Sequence, residues 1–101
     1  MDSAATYSAV LSNRARKEIG ESWNWYEERQ MGLGDRFVKE VTNRVEIIQK
    51  APRRFPTRIK SYKETVLPTF PFVIIYRINE QKKLIRITSV FHQSRNPKKK
   101  Y

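Results

Sequence analysis

The chain has 101 residues, of which 39% are hydrophobic, with no cysteine and a single histidine. This length suits one small domain, which we expect to extend over residues 1–101. The lack of cysteine excludes disulfides and thiolate metal sites, and a lone histidine argues against a zinc site. We therefore predict no metal and no other cofactor.

The formal charge of +11 lies in the second half of the chain. Residues 1–49 contain seven Lys or Arg and eight Asp or Glu, whereas residues 50–101 contain fourteen and two. A surface this positive attracts nucleic acid or an acidic protein, and salt weakens the attraction. The apolar run FVIIY is too short for a membrane span, and the start MDSAATY lacks a signal-peptide pattern. We expect a cytoplasmic protein with no membrane partner.

The first half predicts a strand followed by two helices. Residues 6–12 are rich in β-favouring side chains and end at Ser12, which can cap a helix. From Asn13 to about Gln30 the apolar residues recur at helical spacing and predict one buried face: Ala15, Ile19, Trp23 and Tyr26. The glycines of QMGLGD end this helix, and Asp35 is expected to cap a second helix that stops at Pro52. The short connection predicts an antiparallel helix hairpin.

The second half predicts strands. Strand patterns occupy residues 58–62, 71–78 and 83–91, and a further short strand around residues 65–67 is an alternative. Short turns between strands favour antiparallel pairing, and one sheet face must pack against the helices. We predict an α+β fold in the order β-α-α-β-β-β, with the helix hairpin on a small curved, mainly antiparallel sheet.

Alternation along residues 83–91 places the only histidine on the open face of this sheet. Arg86, Thr88 and His92 share that face, while Phe91 turns to the core. By the same counting, Arg58 and Lys60 point to one face of their strand. The pattern predicts a basic surface that contains the only histidine.

Such a surface has the parts needed to cut RNA without a metal. His92 can exchange a proton near neutral pH, and Arg86 and Arg95 can stabilise phosphate charge. The expected catalytic residues are therefore His92, Arg86 and Arg95. The other basic residues that we expect to bind RNA or phosphate are Arg53, Arg54, Arg58, Lys60, Lys63 and Lys98.

Structural roles are the alternatives for these residues. His92 can be a hydrogen-bonded residue at a strand end, and Arg95 can belong to a turn set by Asn96 and Pro97. Residues 98–101 can be a flexible, solvated basic tail. Trp25 lies off the apolar helix face, where it would meet a protein partner.

Several segments together resemble a known family. They are YSAVLSNRARKEI, GLGDRFVKEV, IIQKAPRRFP, LPTFPFVIIYRI and IRITSVFHQSRNPKKKY, which cover nearly the whole chain. They are similar to toxins of the bacterial RelE/ParE superfamily from type II toxin-antitoxin modules. The resemblance implies a helix hairpin on a curved sheet and an acidic antitoxin as partner. It also implies contact with operator DNA only through the antitoxin complex.

The resemblance implies two activities. RelE-like members cleave mRNA on the ribosome without metal, whereas ParE-like members inhibit DNA gyrase and need no catalytic group. In the first case Arg58, Lys60 and Arg86 would hold phosphate, His92 would act as acid-base, and Arg95 or Tyr101 would assist. We expect a metal-independent, ribosome-dependent mRNA endonuclease, with gyrase inhibition as the alternative.

Overall fold

A computed structural model of the chain describes residues 6–101. Met1 to Ala5, on which part of the signal-peptide expectation rests, lie outside the described residues. The helices are α1 (Asn13–Arg29) and α2 (Leu33–Lys50). The strands are β1 (Ser8–Leu11), β2 (Thr57–Ile59), β3 (Tyr62–Val66), β4 (Phe72–Asn79) and β5 (Leu84–His92).

The five strands form one mixed sheet in the order β1-β5-β4-β3-β2. β1 runs parallel to β5, and the other neighbouring strands pair antiparallel. The two helices cover one face of this sheet, which we call the helix face, and the opposite face is the open face. The predicted α+β fold with a helix hairpin on a mainly antiparallel sheet is confirmed.

Helix α1 begins as predicted, and α2 does not. The Ser12 side chain accepts a hydrogen bond from the backbone N–H of Ala15 at 3.0 Å. Helix α2 starts at Leu33 rather than at Asp35, because the Glu27 carboxylate accepts hydrogen bonds from the N–H groups of Gly32 and Gly34. Asp35 instead accepts a hydrogen bond from the indole of Trp23 at 2.9 Å.

The strand predicted over residues 58–62 is two strands. Lys60 has a φ of 51° and lies in the tight turn that separates β2 from β3. The expected sharing of one strand face by Arg58 and Lys60 is therefore wrong. The alternative strand near residues 65–67 exists as β3, which ends at Val66.

The core on the helix face is rich in aromatic residues. The ring of Phe37 lies 4.8 Å from that of Phe72, and the ring of Tyr26 lies 4.9 Å from that of Phe70. The buried Tyr76 hydroxyl donates a hydrogen bond to the Pro52 carbonyl, and burial raises the pKa of Tyr76 to about 12. Within residues 6–101, neither helix has the length and apolar character needed to cross a bilayer.

Candidate functional site

A β-bulge at Thr88 decides which face of the sheet carries the histidine. Tyr76 pairs with Ile87, and its neighbour Ile75 pairs with Ser89, so Thr88 is an extra residue in β5. Because side chains alternate along a strand, one inserted residue reverses the faces of all that follow.

The reversal exchanges the positions of Phe91 and His92. Phe91 packs with Val73 and Ile75 on the open face, whereas the His92 ring lies on the helix face, 4.9 Å from the ring of Phe72. Arg86 precedes the bulge and stays on the open face, opposite Arg77 in register. The predicted placement of His92 beside Arg86 and Thr88, with Phe91 in the helix-side core, is wrong.

His92 lines a cleft of about 620 Å³ between α1 and the end of β5. The residues around this cleft are Glu18, Glu21, Ser22, Trp25, Tyr26, Pro71, Phe72, Val90, His92, Ser94 and Arg95. The cleft therefore brings together two of the three predicted catalytic residues, His92 and Arg95. Arg86 does not belong to it.

The histidine ring is held by the turn that follows it. The backbone N–H of Ser94 donates a hydrogen bond to His92 Nδ1 at 3.1 Å, and the Ser94 hydroxyl lies 2.7 Å from the same nitrogen. An Nδ1 that accepts from an N–H carries a lone pair, so the proton of the neutral ring is on Nε2. In this geometry His92 fixes the exit of β5.

A buried carboxylate that the sequence did not single out lies beside the cleft. Glu18 of α1 is 8% exposed, and its Oε1 accepts hydrogen bonds from the Ser89 hydroxyl at 2.8 Å and the Val90 N–H at 3.0 Å. Its Oε2 lies 3.2 Å from Arg14 Nε. β1 pairs only with Leu84 to Ile87, so Glu18 satisfies part of the β5 edge that β1 leaves uncovered. The pattern of charged residues along α1 does not predict this role.

Two exposed arginines meet on the open face. Arg86 and Arg77 face one another across β4 and β5. The Arg77 Nε donates a hydrogen bond to the Ser61 hydroxyl at 2.9 Å, and its guanidinium lies 5.1 Å from the centre of the Tyr62 ring. We did not predict Arg77 because it follows a long apolar run. The alternation of side chains along the strand was the available signal, because it places Arg77 on the same face as Ile75, two residues earlier.

The other predicted phosphate ligands have different surroundings. Arg53 forms an ion pair of 2.7 Å with Glu80, and Lys63 donates to the Phe55 carbonyl at 3.1 Å and to Thr57 at 3.0 Å. These two cations therefore have partners within the fold. The remaining basic residues of this segment are exposed: Arg54, Arg58 and Lys60.

The pKa of Glu80 is lowered, chiefly by the hydrogen bond that its carboxylate accepts from the Tyr7 hydroxyl. The nearby Arg53 lowers it further.

Residues 6–101 contain no cluster of three or more His, Cys, Asp or Glu suited to hold a metal ion.

The end of the chain lies across the open face, and we call residues 96–101 the C-terminal strap. The Arg14 guanidinium donates a hydrogen bond to the Lys99 carbonyl, and Lys100 Nζ lies 3.0 Å from Glu64 Oε1. The Tyr101 ring lies 5.1 Å from the Tyr62 ring. Lys98 is exposed in the 3-10 turn of the strap. The predicted flexibility of residues 98–101 stays a prediction, but the segment has defined contacts.

Solved structures of bacterial toxin-antitoxin systems have a similar fold. The ParDE toxin-antitoxin system of P. aeruginosa matches with a TM-score of 0.75 and 15% identity, over 86% of this chain and 96% of that chain. The RelBE2 complex of Mycobacterium tuberculosis matches with a TM-score of 0.65 and 17% identity, over 94% and 100%. The intact E. coli RelBE complex matches with 0.63 and 18%, over 88% and 99%. The fold of the chain is thus the one that these toxin-antitoxin structures share.

The sequence identifies the family within this class. Residues 9–97 match the family described as the ParE toxin of type II toxin-antitoxin systems, parDE. The chain belongs to this family and is a toxin of a type II toxin-antitoxin system. No curated protein sequence gives a significant match.

Proposed function

We propose that this toxin acts by binding and inhibiting DNA gyrase, and that it performs no cleavage of its own. The expectation of an mRNA endonuclease thereby becomes the second candidate. The observation that carries the proposal is the bulge at Thr88, which separates His92 from Arg86. A metal-free cut needs the acid-base group and the phosphate-binding cations around one phosphate.

The surroundings of the predicted catalytic residues support the same conclusion. His92 Nδ1 is engaged by Ser94, and the ring packs edge-on against Phe72. Arg95 lies over the Phe91 ring at 5.7 Å. These are contacts that hold a strand end and a turn together, and binding to a protein target requires no acid-base pair. Membership of the ParE toxin family agrees with this proposal.

The proposed partners are a cognate acidic antitoxin and the target. The open face and the strap carry Arg77, Arg86, Lys98 and Lys99, so an acidic polypeptide fits this surface by charge. Contact with operator DNA is proposed only through the antitoxin complex. We propose no cofactor and no membrane partner.

A supercoiling assay with purified gyrase tests the proposal. Full-length toxin should inhibit supercoiling of relaxed plasmid, and prior addition of the antitoxin should restore it. The His92→Asn variant should inhibit as wild type does, because the Asn amide oxygen can accept the Ser94 hydrogen bond. Gyrase that keeps full activity with micromolar toxin would remove the proposal.

The second candidate, a ribosome-dependent mRNA endonuclease, is favoured by the pair of arginines on the open face. Arg77 and Arg86 lie opposite each other on adjacent strands and could hold one phosphate group between them. A translation extract supplied with toxin should then yield cuts within codons. If these cuts disappear with the Arg77→Ala variant, and wild-type toxin leaves gyrase activity unchanged, the toxin is an endonuclease rather than a gyrase inhibitor.

A further inference from the structure

The carboxylate of Glu64 is buried beneath the C-terminal strap. Glu64 lies in β3, opposite Ile75 in register, and its side chain is 8% exposed. One oxygen, Oε1, lies 3.0 Å from the ammonium of Lys100. The other oxygen, Oε2, is buried and has no hydrogen-bond partner among the described residues.

This arrangement leaves the carboxylate half satisfied. A buried charged oxygen without a donor is unfavourable, because folding removes its water without replacing it. The single ammonium of Lys100 reaches one oxygen only. A guanidinium presents parallel N–H groups that bond both oxygens of a carboxylate, so an arginine satisfies such a group better than a lysine does.

Lys100, the partner of Glu64, also lines a cleft that suits the aliphatic stem of a long side chain. A small cleft of about 130 Å³ lies between the sheet and the strap. Val66, Val73 and Phe91 provide its apolar lining on the sheet side, and Pro97 and Lys100 close it on the strap side. Arginine and lysine side chains bury their stems on apolar surface of this kind.

We propose that Glu64 and the adjoining open face bind an arginine side chain of a partner protein, with Lys100 as an internal ligand in the free chain. The partner segment presents this arginine among acidic residues, because Arg77 and Arg95 repel a bare cation near the site. Under the proposed function this partner protein is gyrase, and that identification rests on the proposed function. The site itself rests on the unpaired oxygen of Glu64, the cleft and the strap.

Nuclear magnetic resonance titration of the full chain with N-acetyl-arginine amide tests this site. The Lys100→Ala variant should bind the probe saturably, with shifts at Glu64 and Tyr62, and wild type should bind about tenfold more weakly because Lys100 competes. Adding Glu64→Gln to Lys100→Ala should abolish binding. N-acetyl-lysine amide should bind Lys100→Ala more weakly than the arginine probe does.

Several outcomes would overturn the proposal. They are equal binding of the arginine probe to wild type and Lys100→Ala, binding that survives Glu64→Gln, and tighter binding of guanosine monophosphate than of arginine. The last result would assign the site to a nucleic acid. If the gyrase assay fails while the arginine probe binds at Glu64, the proposed function falls and the site stands.

A second variant keeps the test valid if Glu64→Gln does not fold. Lys100→Arg should raise the thermal unfolding midpoint, because its guanidinium can bond both Glu64 oxygens. The matched Lys100→Gln variant should lower the midpoint. An unchanged or lower midpoint for Lys100→Arg would contradict the proposed preference for arginine.

Discussion

The Nδ1 nitrogen of His92 accepts a hydrogen bond from the backbone N–H of Ser94 at 3.1 Å. This bond predicts that an acceptor, rather than an acid-base group, is what position 92 requires. His92→Asn places an amide oxygen near the site of Nδ1 and should keep both growth arrest and fold. His92→Gln places its amide closer to the site of Nε2, so it should lose the Ser94 bond and about 1 kcal/mol of the unfolding free energy.

Growth arrest after induction and urea unfolding measure the two effects. A catalytic histidine would give another pattern, in which both variants lose toxicity while both remain folded. Equal stability of the Asn and Gln variants would show that the Ser94 hydrogen bond does not carry the role.

Glu18 is predicted to be a stabilising residue rather than a functional one. Replacement by Ala leaves the Val90 N–H and the Ser89 hydroxyl without their buried acceptor, which should lower the unfolding free energy by about 1–3 kcal/mol. Glu21→Ala is the matched control, since Glu21 lies on the same helix and is exposed. Its effect should stay within about 0.5 kcal/mol. Urea unfolding that finds equal losses in the two variants would contradict the assignment.

The two helical glycines should respond to alanine in opposite directions. A Cβ at Gly34 would lie 2.7 Å from the Trp23 carbonyl oxygen, so the backbone of the hairpin would have to move. Gly34→Ala should therefore cost about 1–3 kcal/mol. A Cβ at Gly20 meets nothing within 4 Å, and Gly20→Ala should stabilise α1 by about 0.5–1 kcal/mol.

Thermal unfolding of the two alanine variants decides this prediction. A Gly34→Ala midpoint at or above that of wild type would mean that the hairpin tolerates the side chain. In that event the close approach of Gly34 to Trp23 would not be what sets the hairpin geometry.

The fold followed from the sequence because its signals are local. Helical spacing of Ala15 and Tyr26, the capping hydroxyl of Ser12 and the stop at Pro52 each act within a few residues. The candidate site did not follow, because one inserted residue at Thr88 reverses His92 and Phe91 while the alternation of side chains gives no sign of it. The roles of Glu18 and Glu64 were also beyond the sequence, since their partners, Ser89 and Lys100, are distant along the chain.

The Glu40 carboxylate is expected to form an acid-sensitive link between α2 and the loop before β4. Partial burial raises its pKa. Hydrogen bonds from the N–H groups of Thr69 and Phe70, a hydrogen bond from the Thr69 side chain and the positive charge of Arg44 together outweigh this, so the pKa of Glu40 lies below its usual 4.5. The unfolded chain therefore takes up this proton first as the pH falls. The stability that Glu40 contributes is complete above pH 4.5 and is lost as the pH falls through the folded-state pKa.

Urea unfolding between neutral and acidic pH measures this effect. The unfolding free energy of Glu40→Gln should fall less steeply with pH than that of wild type. Glu46→Gln, an exposed site on the same helix, should keep the wild-type slope. Parallel slopes for wild type and Glu40→Gln would mean that the two loop hydrogen bonds do not hold the proton off this carboxylate.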